Sequence, residues 1–322
     1  MKDLLFECLN LFAKLIYGLV LFLKNYFVLK LIPEKDLSNE ITLVTGAASG
    51  LGYQISLRLA RQVKKLIVVD IHTEGLKRLD EEITEQWNIK ISRYTCDLRD
   101  PEAINYLKAK IASEHGRVSL LISNAGYYSC SSLLSSSPLE FESTVKVNFL
   151  SNFYMIQAFL PAMLGKKLHD YPRMTQFKLE SNNEAKGHIV AVSSIAGQIP
   201  SALLSSYCSS KAGTILLIEC LREELKMGNL EKFISTTNVM PYRIDTNLFE
   251  NIDSSFPCIF PSLKQEYVAE RIIKAIKYNE QEVYIGRFVQ IFPIVKHCLS
   301  TRLLSIIYSI CGLHELIRSD KN

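Results

Sequence analysis

The chain has 322 residues, 48% of them hydrophobic and 22% charged, with a formal net charge of +4. It is long enough to bury a large core, which excludes a disordered chain, and its mild, scattered charge excludes a nucleic-acid footprint. Its eight cysteines form no C-x-x-C pair or metal-like spacing, so no metal site is expected, and Cys96, Cys220 and Cys311 in apolar runs are expected to be buried, reduced thiols facing a reducing compartment.

Residues 4–33 are apolar but interrupted by Glu7, Lys14, Lys24 and Lys30. The best unbroken run, residues 15–23, is short of the about 20 residues that a spanning helix needs. Asp3, Glu7, Asn10, Lys14 and Gly18 recur at spacings of four, three, four and four, with Asn25 on the same line. A narrow polar stripe on a greasy helix fits a helix lying in a membrane interface, or a hairpin dipping into one leaflet, with lysines reaching the headgroups. A helix packed on the protein's own core is the alternative. The start is not strongly basic and no small-residue cleavage pattern follows, which argues against a cleaved leader. Pro33-Glu34-Lys35-Asp36 then breaks the helix.

Ile41-Thr42-Leu43-Val44-Thr45 is a β-branched run followed by Gly46-Ala47-Ala48-Ser49-Gly50-Leu51-Gly52 and a helical pattern to Gln62. Strand, glycine-rich turn and helix start form an anion cradle, because glycines let backbone N–H groups approach a pyrophosphate at the positive end of a helix. The second strand, residues 66–70, ends in Asp70. A carboxylate there accepts from an adenosine ribose and repels a 2′-phosphate, so NAD is expected over NADP. A third strand over residues 91–96 leads to Asp97-Leu98, a helix starts at Asp100-Pro101, and a fourth strand over 118–123 ends in Asn124-Ala125-Gly126. Alternating strands and helices predict an α/β fold, a doubly wound parallel sheet with helices on both faces.

Residues 141–164 carry one apolar-periodic pattern, expected to be a single helix with Asn148 inside it. Residues 165–186 are polar and are expected to be a surface insertion. A fifth strand over 187–194 ends in Ser193-Ser194. Ser205 opens a helix that carries Tyr207 and Lys211 and runs to Leu225, and a sixth strand over 233–240 stops at Pro241. Tyr207 and Lys211 are four residues apart, so one helix face presents both. An ammonium beside a phenol favours the phenolate and would bring the tyrosine down from its usual value of about 10.

Thr-Gly-x-x-x-Gly-x-Gly from Thr45, Asn-Ala-Gly from Asn124, Ser194 thirteen residues before Tyr207, and Tyr-x-x-x-Lys occur in that order. Together they resemble the short-chain dehydrogenase/reductase superfamily over residues 41–287. The resemblance implies a Rossmann-type sheet of about seven strands and these roles. Tyr207 is the general acid/base, Ser194 holds the substrate oxygen, and Lys211 binds the nicotinamide ribose and lowers the Tyr207 pKa. Asn148 holds a water that links Lys211 to solvent. Thr45, Gly46, Ser49, Gly50, Leu51 and Gly52 belong to the cofactor turn, with Asp70 at the ribose, Asp97 and Leu98 at the adenine, and Asn124, Ala125 and Gly126 also binding the cofactor while Asn124 braces the central sheet. Pro241, Ile244 and Thr246 border the nicotinamide. The family places Pro-Gly where this chain has Pro241-Tyr242, and tyrosine lacks some of glycine's backbone freedom.

Beyond Thr246 come Leu248, Phe249, Phe256, Ile259 and Phe260, then a helix over 266–278, a strand over 282–285 and an apolar tail over 289–317 punctuated by Lys296, His297, Arg302 and His314. The apolar residues after Thr246 point to a hydrophobic substrate. The tail suits a second membrane contact or, equally, a helix covering the sheet or a dimer surface. The greasy start, the surroundings of Tyr207, Pro241-Tyr242 and the tail are similar to the membrane-bound epidermal retinol dehydrogenases and the lipid-droplet 17β-hydroxysteroid dehydrogenases. The expected layout is an anchoring segment over 1–36, a catalytic domain over 37–286 and a tail over 287–322. The expected activity is NAD-dependent oxidation of a lipophilic alcohol on endoplasmic reticulum or lipid droplets, facing the cytosol, with a homodimer possible through residues 141–164 and 205–225. Two alternatives stand beside it: an NADPH-dependent carbonyl reductase, and a lipid-droplet protein with a purely structural nucleotide fold.

Overall fold

The computed structural model describes residues 33–165, 185–245, 261–287 and 289–310. The readings of residues 1–32, of the 165–186 insertion except its ends, of Thr246 and of the apolar run after it fall outside these. Among the described residues, no helix is long and apolar enough to cross a membrane.

Seven strands form one sheet, entirely parallel, in the order β3-β2-β1-β4-β5-β6-β7. They are β1 (Ile41–Thr45), β2 (Lys65–Asp70), β3 (Ser92–Thr95), β4 (Leu120–Ser123), β5 (Gly187–Val192), β6 (Ile234–Pro241) and β7 (Glu282–Ile285). Neighbouring side chains on each strand part to opposite faces. Leu43, Ile67, Leu121 and Ile189 therefore enter one core, and Val44, Val68, Ile122 and Val190 the other. On the first face pack α3 (Pro101–His115), α5 (Ser151–Met163) and α6 (Ser205–Met227). On the second pack α1 (Gly50–Leu59), α2 (Thr73–Trp87) and α7 (Gln265–Lys277). The strand order reverses between β1 and β4, and a cleft outside the carboxyl ends of the strands is the binding place such a reversal creates.

The single helix expected over 141–164 is interrupted. It comprises α4 (Pro138–Val145), a π turn (Lys146–Leu150) and α5. Within the wider turn the Asn148 carbonyl accepts from Asn152 Nδ2 and from Thr214 Oγ1 on α6, each at 2.8 Å. Such bulges recur where a helix must present a functional group.

Of Cys96, Cys130, Cys208 and Cys220, the expectation of burial holds for Cys96; Cys130 and Cys220 are exposed and Cys208 is partly buried. Cys220 lies off the inward stripe of α6, which runs through Thr214, Ile218, Leu221 and Leu225.

In the tail, α8 (Ile291–Cys298) and α9 (Thr301–Ile310) follow β7. Phe292 and Leu304 pack with Tyr242 and Tyr284 against Ile195, Ile199 and Val289. Lys296 Nζ donates to the Gln198 carbonyl at 2.6 Å. Ile291, Leu303 and Ile306 face outward.

Candidate active site

The glycine-rich turn joins β1 to α1, and its glycines are required by the protein's own backbone. Gly46 has φ +65°, and a Cβ there would lie 2.7 Å from Ala125 Cα. At Gly52 a Cβ would lie 2.0 Å from the Gly46 carbonyl oxygen. The turn is thus pressed onto the loop after β4. Asn124 Nδ2 donates to the carbonyls of Thr45 (3.1 Å) and Gly46 (3.2 Å), while Thr45 Oγ1 accepts from the N–H groups of Asn124 (3.0 Å) and Ala125 (3.1 Å). Asp70 fixes the other side. Its Oδ2 accepts from the Ala48 N–H and its Oδ1 from the His72 N–H, both at 3.0 Å. Both oxygens are held at the end of β2, with lone pairs left over for further donors.

The next strand end adds Asp97 and a cation that the sequence reading did not weigh. Arg99 grips Asp97 two-pronged, Nε to both carboxylate oxygens at 3.0 Å and Nη2 to Oδ2 at 2.6 Å. This grip holds the Asp97 carboxyl below its usual range. A basic residue two positions after the strand-end acid was the available signal.

At the other end of the cleft, β5 delivers Ser194 and α6 delivers Tyr207 and Lys211. Ser194 precedes a 3₁₀ turn (Ile195–Gly197) and its Oγ accepts from the Ala196 N–H at 3.1 Å. Its hydroxyl is also hydrogen-bonded to the Tyr207 phenol. Lys211 Nζ donates to the Val192 carbonyl at 2.8 Å and stands 5.7 Å from the centre of the Tyr207 ring. Both side chains are buried, at 6% and 3% exposure. Burial dominates their titration. Desolvation pushes Tyr207 up to about 12 against the smaller lowering effect of the Ser194 bond, and desolvation brings Lys211 down to about 8. The expected depression of Tyr207 by Lys211 is therefore corrected for the protein alone, because excluding water from the phenol outweighs the field of its neighbours.

Asn148 spends its side-chain amide on the protein. Oδ1 accepts from the Tyr127 N–H (2.7 Å), and Nδ2 donates to the Tyr127 carbonyl (2.8 Å) and Ser210 Oγ (3.0 Å). It nevertheless lies close to Lys211 across Gly126: a Cβ on Gly126 would be 3.6 Å from Asn148 Oδ1 and 3.7 Å from Lys211 Nζ.

These residues share one cleft of about 820 Å³. Gly46, Ser49, Gly50, Leu51, Asp70, Asp97, Leu98, Asn124, Ala125 and Gly126 line it from the β1–β4 side. Ser194, Tyr207, Lys211, Pro241 and Ile244 line it from the β5–β6 side. Thr45, Gly52 and Asn148 stand behind the wall. Tyr242 replaces the family's glycine without strain: positive φ among described non-glycine residues occurs at Asn88, Leu203, Asn229 and Asn279 only. Sequence reading also missed Tyr127, Ile195, Ile199, Leu204 and Arg243 on the lining.

The residues fit a dinucleotide. The turn supplies the N-terminal end of α1, Asp70 supplies a fixed acceptor, and Lys211 has spent one of its three N–H groups on a named protein acceptor. Fold and cleft together are those of a dinucleotide-dependent oxidoreductase, and Ser194, Tyr207 and Lys211 all line the cleft.

Comparison with known proteins gives the same class. The short chain dehydrogenase family matches residues 40–255, and the chain belongs to that family, whose members are NAD(P)-dependent oxidoreductases acting on alcohols or their carbonyls. It is 34% identical to short-chain dehydrogenase/reductase family 16C member 6 of Bos taurus, over 88% of this chain and 84% of that protein. It is 31% identical to epidermal retinol dehydrogenase 2 of Mus musculus (88% and 86%) and 30% identical to retinol dehydrogenase 10 of Homo sapiens (87% and 84%). Among solved structures it resembles a short-chain dehydrogenase/reductase of Mycobacterium marinum, with TM-score 0.66 and 22% identity over 79% of this chain and 96% of that one. A Burkholderia cenocepacia short chain dehydrogenase in complex with NADP gives TM-score 0.65 and 20% identity over 86% and 99%.

Proposed function

We propose that the protein is an NAD-dependent dehydrogenase that oxidises a lipophilic primary or secondary alcohol, of the retinol or 17β-hydroxysteroid class, to the carbonyl. The observation that carries this reading is the meeting of Ser194, Tyr207 and Lys211 in the cleft that Asp70 and the glycine turn also line. Ser194 orients the substrate oxygen, and Tyr207, as phenolate, takes its proton. Lys211, while charged, holds the phenolate in a site that otherwise favours the neutral phenol. Asn148 and Lys211 flank the gap at Gly126 where a water would carry the proton onward. The dinucleotide, when bound, accepts the hydride. NAD is favoured because Asp70 presents a fixed negative charge, and because the nearby cation, Arg99, is already committed to Asp97.

A lipophilic substrate is supported by Ile195, Ile199 and Leu204 on the lining and by the retinol dehydrogenases among the relatives. Membrane or lipid-droplet association is proposed from the polar-striped apolar start, from the relatives' lipid substrates and from the outward Ile291, Leu303 and Ile306 of α8 and α9. A homodimer is proposed through α5 and α6, which leave Phe153 and Leu216 exposed. The test is a panel of lipid alcohols offered to membrane-embedded protein with NAD or NADP, followed by cofactor absorbance. Turnover of a retinoid or hydroxysteroid with NAD is expected; reduction of carbonyls with NADPH alone would reverse the assignment.

A further inference from the structure

Charge is unevenly distributed around the cleft. Both lining carboxylates, Asp70 and Asp97, come from the ends of β2 and β3, whereas the charged residues lining the β5–β6 side are Lys211 and Arg243. Arg243 directly follows Pro241-Tyr242. Its backbone is clipped to the returning chain: its carbonyl accepts from the Leu263 N–H at 2.9 Å, and Asp245 N–H donates to the Leu263 carbonyl at 2.8 Å. Among the described residues its guanidinium is aimed by one hydroxyl, Ser262 Oγ, which accepts from Nε at 2.8 Å and also from Nη2. The third nitrogen, Nη1, is buried and has no acceptor among the described residues. Among the described residues no carboxylate pairs with Arg243.

A buried guanidinium N–H with no acceptor is expensive, because water has been removed and nothing replaces it. A planar, permanently charged group held in one orientation is also the natural partner of a carboxylate. We propose that Arg243 is a specificity residue that pairs with a carboxylate on the substrate, so that among lipophilic alcohols one that also bears a carboxylate is preferred. This rests on the alcohol-oxidising reading above. The carboxylate sits at Arg243 while the carbinol reaches Ser194 and Tyr207, and the apolar lining takes the chain between them. The preferred spacing between the two oxygen groups is then a property of the cleft.

The experiment compares ω-hydroxy fatty acids of increasing length with their methyl esters, using full-length protein and NAD. The wild type should prefer the acid over the ester at a best length by about tenfold or more in kcat/KM. Arg243→Met should abolish that ratio, and Arg243→Lys should restore part of it. Should Arg243→Met fail to fold, Ser262→Ala, which frees the guanidinium, should lower the same ratio. Calorimetry with alkanedioates, which cannot be oxidised, gives a second readout independent of turnover. Tenfold weaker binding by Arg243→Met in the presence of NAD supports the assignment even if no alcohol is oxidised, in which case only the reaction reading fails. An acid-to-ester ratio near one in the wild type, a ratio that survives Arg243→Met, or a variant that loses NAD affinity with its substrate ratio intact each overturn it.

Discussion

At the β1–β2 end of the cleft, backbone shapes the site. Gly46 and Gly52 leave no room for a Cβ, and the side chains of Asp70 and Asn124 return to main-chain groups. At the β5–α6 end, buried side chains that titrate shape it, with Tyr207 pushed up and Lys211 brought down by loss of water. The first end is a fixed mould, set by sterics and main-chain hydrogen bonds. The second is poised, and its protonation depends on what fills the cleft. A dinucleotide needs a rigid cradle at its adenosine end, whereas proton transfer needs groups whose charge can change.

The contrast breaks most sharply at Tyr207. Tyr207→Phe keeps the ring and its edge-on contact with Tyr128, 6.1 Å between centres, but removes the proton. Turnover should fall by about a hundred- to ten-thousandfold, while nucleotide affinity measured by calorimetry stays near that of the wild type. A variant that turns over at the normal rate would show that the poised end is not the catalytic end.

Gly52→Ala tests the mould. A Cβ 2.0 Å from the Gly46 carbonyl has to displace backbone, not a flexible side chain, and overpacking of this kind costs about 1–3 kcal/mol. A lowered melting temperature and weakened nucleotide binding are expected together. If the melting temperature alone drops, the turn is structural without being the cradle.

How much of this was legible follows from the same contrast. The mould was readable because its signals are local: a β-branched run, glycines at a turn and an acid at a strand end all lie within a few residues of the site they build. The poised end was readable as far as its residues share a helix, which brings Tyr207 and Lys211 together, and Ser194 was singled out only by its motif spacing of thirteen residues before Tyr207. The π turn was not, because the apolar period runs through it unchanged and its partner, Thr214 Oγ1 on the Asn148 carbonyl, lies 66 positions away. The sign of the Tyr207 shift was misjudged because sequence shows the neighbouring ammonium but not the burial. Arg243 went unnoticed because its importance lies in a missing acceptor, which a sequence cannot display.

Asp70→Asn sharpens the comparison at the rigid end. Asparagine keeps one acceptor oxygen for the Ala48 or His72 N–H and removes the charge. The loss of one backbone bond should cost about 1 kcal/mol of stability. The preference for NAD over NADP, read as a ratio of kcat/KM, should fall roughly ten- to hundredfold, the size of one charge acting at several ångströms. An unchanged ratio would leave Asp70 as a brace for the turn and nothing more.

The smallest effect is the share of the pH dependence of stability that comes from the poised end. Unfolded, Lys211 holds its proton up to its ordinary value of 10.5; folded, it releases it at about 8. Between those values the unfolded chain binds more protons, so stability rises with pH across that window. Below about pH 8 both states are protonated, and the folded protein bears the cost of a buried ammonium. Tyr207 acts with the opposite sign. Its folded value of about 12 lies above the ordinary 10.0, so the folded state keeps a proton that the unfolded chain has lost, and stability falls as pH rises from 10 towards 12. Burial also pushes Cys96 up to about 11 and Tyr53 and Tyr284 up to about 12. These groups add to the fall above about pH 9, so the two contributions are read as differences between variant and wild-type melts of nucleotide-free protein. Lys211→Met should lose the rising contribution between pH 8 and about 10, and Tyr207→Phe should lose part of the fall above it, each by a few degrees, whereas Asp70→Asn should leave both in place. No difference between Lys211→Met and the wild type from pH 8 to about 10 would mean that the ammonium is solvated in solution, and the division between a rigid end and a poised end would lose its physical basis.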